Sequence, residues 1–180
     1  MAPWDAVFYC VAQFAGAVAG VALASLVLQG APEDKAVRYA ATIPGICGDG
    51  IAFFAELVIS FLLMIAILFA SNHKVLAPYT RYFAAVLVAS YIAFESPLSG
   101  MSTNPARTFG PALCGNYWRA LWIYFIAPPL GMMAAGEVFL LARQGKGPYC
   151  AKLDHQNHKR CIFCHSGPAP TTPAQPDTSK

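Results

Sequence analysis

The sequence predicts an all-α membrane protein with four transmembrane helices and one re-entrant half helix. Three observations carry that expectation. Of 180 residues, 57% are hydrophobic and 12% charged, against roughly 25% charged in an ordinary soluble domain. The charges fall between long apolar runs rather than along them. One of the intervals, Ser99 to Leu113, reads SGMSTNPARTFGPAL and sets an Asn, a Pro and an Arg close together among apolar residues.

A spanning helix needs about 20 mostly apolar residues. Ala6 to Gln29 carries no charge, and Ile51 to Ser71 carries only Glu56. Tyr79 to Leu98 has Arg81 near one end and Glu95 near the other, and Ala120 to Ala142 has only Glu137. The predicted spans are therefore 6–29, 51–71, 79–98 and 120–142. Ala22-Leu23-Ala24 resembles a signal-peptide cleavage site. The N-terminus has Asp5 but no Lys or Arg, and the run is longer than a signal core, so a span is the better reading. Trp4, Tyr79, Tyr82, Trp118 and Trp122 lie near span ends, as interfacial anchors do. Gly16 and Gly20 form a G-x-x-x-G face that predicts close helix packing. Pro128-Pro129 and Gly131 predict a kink in the fourth span.

Loop charge sets the expected orientation. Lys74 and Arg81 border the interval between the second and third spans, and Arg143, Lys146, Lys152, Lys159 and Arg160 follow the fourth. Lys35, Arg38, Arg107 and Arg119 fall on the other side. This bias places both termini in the cytoplasm of a multi-pass protein of the cell (inner) membrane. The formal net charge of +3 is too small to suggest a nucleic-acid partner.

Residues 143–180 form a predicted cytoplasmic tail, largely disordered toward its Pro-rich end, SGPAPTTPAQPDTSK. Within it, Cys161-Ile-Phe-Cys164-His165 matches the C-x-x-C-H pattern of haem c attachment. Haem c is attached outside the cytoplasm, whereas the charge bias places the tail inside. Cys150, Cys161, Cys164 and His165 are a weak candidate zinc set, chemically suited to that metal. Reduced cysteines in a short tail are the plainer reading, and no metal or cofactor is expected. Cys10, Cys47 and Cys114 form no disulfide framework.

The interval after the third span has a definite local grammar. Asn104 is a favoured N-cap, and Pro105 stands at the first helical position, where its missing N–H costs nothing. A helix over 105–114 follows, with Gly115 as its stop. It is too short to span, so its N-terminus should lie near mid-membrane with unpaired N–H groups and partial positive charge. Once its oxygen caps the helix, the Asn104 amide can donate into a cavity, and Arg107 adds a fixed cation one turn in. A water or hydroxyl offers oxygen to such donors, while protons and other cations are repelled. The competing reading is an ordinary surface loop, which the neighbouring Arg and the flanking spans disfavour.

This stretch resembles the second Asn-Pro-Ala loop of the aquaporin, or major intrinsic protein, family, in a bacterial-type form. Gln13 and the small residues of the first span, Glu56 of the second, and the Pro-Gly segment of the fourth are similar to the family's third to sixth helices. The resemblance covers residues 1 to about 142 and implies an aquaporin-like right-handed bundle. It implies a passive channel for water or small uncharged solutes, with no enzymatic chemistry and no cofactor. Asn104, Pro105 and Ala106 would form one of two facing motifs at the pore centre, and Arg107 would belong to the outer selectivity filter. Met101 would supply a backbone carbonyl or side chain to that filter. Ile92 would stand where water-specific members place a His, and Thr108 where the glycerol-conducting branch often has Asp, which leaves the solute open. Glu56 would brace the re-entrant backbone, Glu95 could hold the loop leading to the motif, and Gln13 could bond within the bundle or to a loop carbonyl.

Family channels are built from two inverted repeats, each with three spans and a half helix. This chain carries one Asn-Pro-Ala, and the resemblance implies an N-terminally incomplete channel lacking two spans and the first motif. A complete form would be expected as a homotetramer in the lipid bilayer. The alternative function is a non-conducting membrane interaction subunit that pairs with a full-length relative. A redox enzyme using the Cys161–His165 motif ranks third.

Overall fold

A computed structural model describes residues 3–149 of the chain. Its helices are α1 (Pro3–Val27), α2 (Asp49–Ser71), α3 (Thr80–Phe94), α4 (Ser96–Ser99), α5 (Pro105–Gly115) and α6 (Leu121–Ala142), with no strand among the described residues. Helices α1, α2 and α6 are 25, 23 and 22 residues long and apolar enough to cross a membrane. The chain is thus an all-helical, multi-pass membrane protein. Cys150, Cys161, Cys164 and His165 lie outside the described residues.

The third predicted span, 79–98, is not one helix. It runs as α3 to Phe94, breaks at Glu95, and resumes as the single turn α4. Pro97 explains the break, because it has no N–H to give the carbonyl of Ala93. At 15 residues, α3 is about 22 Å long, short of the ~30 Å hydrocarbon core, and the 4 residues of α4 add about 6 Å. Gly100, at φ +81, then turns the chain inward. A Cβ there would stand 2.9 Å from the Ile43 nitrogen, so the left-handed turn and the crowding both require glycine.

Helices α2 and α6 pack along one another, and α1 packs on α5. The α2–α6 contact is close because small residues recur one turn apart on α6. Ala127 and Ala135 are fully buried, and a Cβ on Gly131 between them would run into the Leu57 carbonyl. Ala52, Ile123 and Tyr124 fill one core cluster, and Ile59, Tyr91 and Met101 fill a second. Between Leu121 and Ala142 the helix continues through Pro128 and Pro129 without interruption.

The close glycine contact of α1 is not the one its sequence suggests. Nothing comes within 4 Å of a Cβ placed on Gly16 or Gly20, which face an open cleft instead. The tight approach is made by Gly110 of α5, where a Cβ would lie 2.8 Å from the Ala17 carbonyl oxygen. Phe14 meets Phe109 edge-on at 5.3 Å beside it. A G-x-x-x-G pattern marks a smooth helix face, and what covers that face depends on where the partner helix lies.

The connection from α1 to α2 lies over α4 and α5. Gly45 N–H donates to the Leu98 carbonyl at 2.9 Å, and Gly45 itself fits too tightly against Pro97 to carry a side chain. Arg38, Tyr39 and Ala40 all take positive φ near +50°, an unfavourable conformation for side-chain-bearing residues that tertiary contacts must hold.

Gly110→Ala and Gly131→Ala should each lower the thermal unfolding midpoint in detergent or lipid. The cost of forcing the helices apart, about 1–3 kcal/mol, exceeds the gain in helix propensity, up to about 1 kcal/mol. Gly136→Ala, with open space around it, should leave the midpoint unchanged or raise it. Equal behaviour of the three variants would contradict the packing described.

Candidate functional site

The site grows from the short segment between α4 and α5. Residues 100–104 make no regular ladder, and Met101 and Thr103 adopt positive φ of 48° and 54°. Buried backbone of this kind needs donors and acceptors from elsewhere. Glu56 of α2 provides the acceptors from a fully buried position. Its Oε1 accepts from Ser102 N–H at 2.6 Å and from the Ser99 hydroxyl at 2.7 Å, and its Oε2 accepts from Thr103 N–H at 2.8 Å. Bonds to an ionised carboxylate are among the strong ones in proteins. The loop is held by a charge approaching it from behind.

A chain of hydroxyls secures the other side. Thr42 donates to Thr108 Oγ1 at 2.8 Å, and Thr108 and Ser102 share a hydrogen bond of 2.6 Å. Ser102 Oγ bonds the Asn104 carbonyl at 2.8 Å. With one proton per hydroxyl, the direction is settled: Thr42 donates to Thr108, Thr108 to Ser102, and Ser102 to the carbonyl. Thr108 is 2% exposed and therefore faces this network, not the cleft.

Held in this way, Asn104 begins α5. It is extended at φ −150°, and its Oδ1 accepts from Ala106 N–H at 2.9 Å. Pro105 follows as the first helical residue, and Asn116 closes the helix in the left-handed conformation. The Asn104 amide nitrogen points to Gln13 Oε1 of α1 at 3.5 Å. Arg107, half-buried, donates to the Ala40 carbonyl at 3.3 Å. The strained turn at residues 38–40 thus delivers a carbonyl to the guanidinium.

These residues share one cleft of about 460 Å³ whose lining includes Gln13, Gly16, Gly20, Tyr39, Asn104 and Arg107. Its walls are the small-residue face of α1, which also carries Gln13, and the first turns of α5, which carry the Asn104 and Arg107 donors. The Tyr39 phenol at its edge is held above its ordinary pKa range, by loss of solvent and then by the Glu33 carboxylate. Sequence reasoning passed over Tyr39 and Ala40, since neither residue type signals a role and only the backbone turn brings them to Arg107.

Other residues singled out from sequence lie elsewhere. Met101 is 4% exposed, and its side chain packs with Ile59 and Tyr91, which leaves the backbone as its part facing other groups. Ile92 is 56% exposed on α3, outside the lining of the cleft. Glu95 is buried beside α4, and neither of its carboxyl oxygens has a hydrogen-bond partner.

Comparison with known proteins adds the family. The Major intrinsic protein family model matches residues 1–139. The chain is 34% identical over 143 residues to putative aquaporin NIP4-1 of Arabidopsis thaliana, covering 78% of this chain and 49% of that protein. Aquaporin NIP2-3 of Zea mays is 33% identical over 156 residues, 86% of this chain and 50% of its own length. Aquaporin-1 of Rhizophagus irregularis is 37% identical over 150 residues, 77% of this chain and 50% of its own. The chain spans about half the length of the curated relatives it matches. A family model fitted across the helical region, on a fold with a capped half helix set between spans, identifies the chain as a member of the major intrinsic protein family.

Proposed function

We propose that the chain forms one half of a passive channel for water or small uncharged solutes. The observation that carries this reading is the anchored N-terminus of α5, which presents the Asn104 amide and the Arg107 guanidinium to one cleft. Donors at the start of α5, set in a largely apolar lining, suit a solute that lends an oxygen and carries no charge. The cation and the helix dipole oppose protons and metal ions. No bond is made or broken in such passage, and no catalytic group or cofactor is required. The names of the relatives, aquaporins in each case, support the same reading.

In this proposal Asn104, Pro105 and Ala106 form the central motif, Arg107 and the Met101 carbonyl belong to the outer filter, and Glu56 and Gln13 keep the motif in place. Ile92 meets the solute from a wall completed by polypeptide beyond these residues or by a second chain. The half-length match to the relatives and the open cleft support that arrangement. Both termini lie in the cytoplasm, and the complete channel is a homotetramer in the cell membrane. A non-conducting subunit that pairs with a longer relative is the alternative.

Stopped-flow swelling of liposomes separates the two readings. The chain alone should leave osmotic water permeability at the lipid background, whereas a fusion supplying a first repeat with its own Asn-Pro-Ala should raise it. A fusion that folds and stays at background would favour the non-conducting subunit. Parallel gradients of glycerol and urea identify the solute.

In the conducting form, Arg107→Ala should admit larger or charged solutes that the parent excludes. Unchanged selectivity would remove Arg107 from the filter. Glu56→Gln presents an amide where the loop needs an acceptor, so it should reduce water flux and lower the unfolding midpoint together.

A further inference from the structure

Glu95 is 8% exposed, and both of its carboxyl oxygens lack a hydrogen-bond partner. A buried carboxylate without donors is strongly disfavoured, and at membrane depth more so. Its neighbours show how the fold tolerates it. Ser99 lies one turn further on, its N–H 3.5 Å from the Glu95 carbonyl oxygen, which sets the two side chains on the same face. One turn earlier, near the end of α3, stands Tyr91, whose carbonyl accepts from Glu95 N–H at 2.8 Å and whose hydroxyl is buried without a partner. From α6 comes Tyr124, whose hydroxyl donates to the Ser99 carbonyl at 2.5 Å. Glu56 meets this turn through the Ser99 hydroxyl, and the cation of the site, Arg107, lines the cleft.

The valence of Ser99 then decides the matter. Its single hydroxyl proton goes to Glu56 Oε1 at 2.7 Å, and its oxygen accepts from Met101 N–H at 3.1 Å. A hydroxyl oxygen has two acceptor positions, so one remains open, and only a donor can occupy it. An ionised Glu95 has nothing to donate, whereas a neutral carboxyl has one proton. We propose that Glu95 is a positioning residue acting as the neutral acid, donating to Ser99 Oγ and completing a Glu95–Ser99–Glu56 chain behind the re-entrant loop. Each bond in such a chain polarises the next, so the acid strengthens the grip of Ser99 on Glu56. The proposal rests on the channel reading only for the purpose of the loop.

Infrared difference spectroscopy of the purified chain in lipid at neutral pH, wild type against Glu95→Gln, tests it. The wild type should show the C=O stretch of a protonated carboxyl that the variant lacks. The Gln amide can donate to the same oxygen, so Glu95→Gln should keep an unfolding midpoint near wild type while Glu95→Ala lowers it. A wild type with carboxylate bands alone would overturn the proposal, as would a Gln variant no more stable than Ala. Should Glu95→Gln fail to fold, Ser99→Ala serves instead. Loss of the acceptor must then move the protonated-carboxyl band to higher wavenumber, and an unmoved band would equally overturn it. The spectroscopic result does not depend on conduction, so failed permeability with the band present counts against the channel reading alone.

Discussion

Backbone that leaves the helical ladder at membrane depth must be satisfied by protein, and Glu56 is where this chain meets that demand. One carboxylate, with no exposed surface, takes two N–H groups and a hydroxyl from a segment that has no ladder of its own. The positive φ of Met101 and Thr103 would cost about 1–3 kcal/mol each if nothing held them. They persist because the alternative strands a charge and several donors together. The direction of α5, the position of its cap and the place of Arg107 all follow from that arrangement.

The brace works only if α2 is itself fixed, and here the packing contributes. Ala127, Gly131 and Ala135 let α6 lie against the α2 backbone at Leu57, one residue from Glu56. Tyr124, three residues before Ala127, reaches the Ser99 carbonyl with its hydroxyl. Ser99 is thereby held by α2 through its side chain and by α6 through its backbone. Pro97 keeps this turn separate from α3, because a continuous helix would carry residues 100–104 onward in line with α3. Sequence, packing and site geometry meet in one residue of each element.

Much of this was legible in the sequence because the controlling rules are local. Spans follow from apolar length, and the start of α5 follows from Asn-Pro at an N-cap, so the predicted 105–114 and the observed Pro105–Gly115 differ by one residue. Non-local features were not legible. The break at Glu95 depends on a single missing N–H at Pro97, inside a run whose hydropathy gives no warning. The roles of Gly16 and Gly110 differ because α5 returns between helices, and no periodicity reports that. Tyr39 and Ala40 reach Arg107 through three unfavourable backbone conformations, which composition does not encode. Thr108 could be read as a position beside Arg107, but its burial in a hydroxyl chain required the fold.

The placement of charge gives the cleft its character. Glu56 and Arg107 are close enough to influence one another, yet the carboxylate is fully buried and the guanidinium lines the cleft. Reversing that exposure would turn the trough into an attractive seat for cations. Satisfying Glu56 with loop N–H groups keeps its negative charge behind the backbone, where peptide dipoles and the Arg partly cancel it. The groups that α5 turns to the trough are the Asn104 amide and the Arg107 cation, both donors. The element that supports the loop and the element that excludes cations are therefore one structure, since the carboxylate can brace the loop only from the side where a passing solute does not meet it.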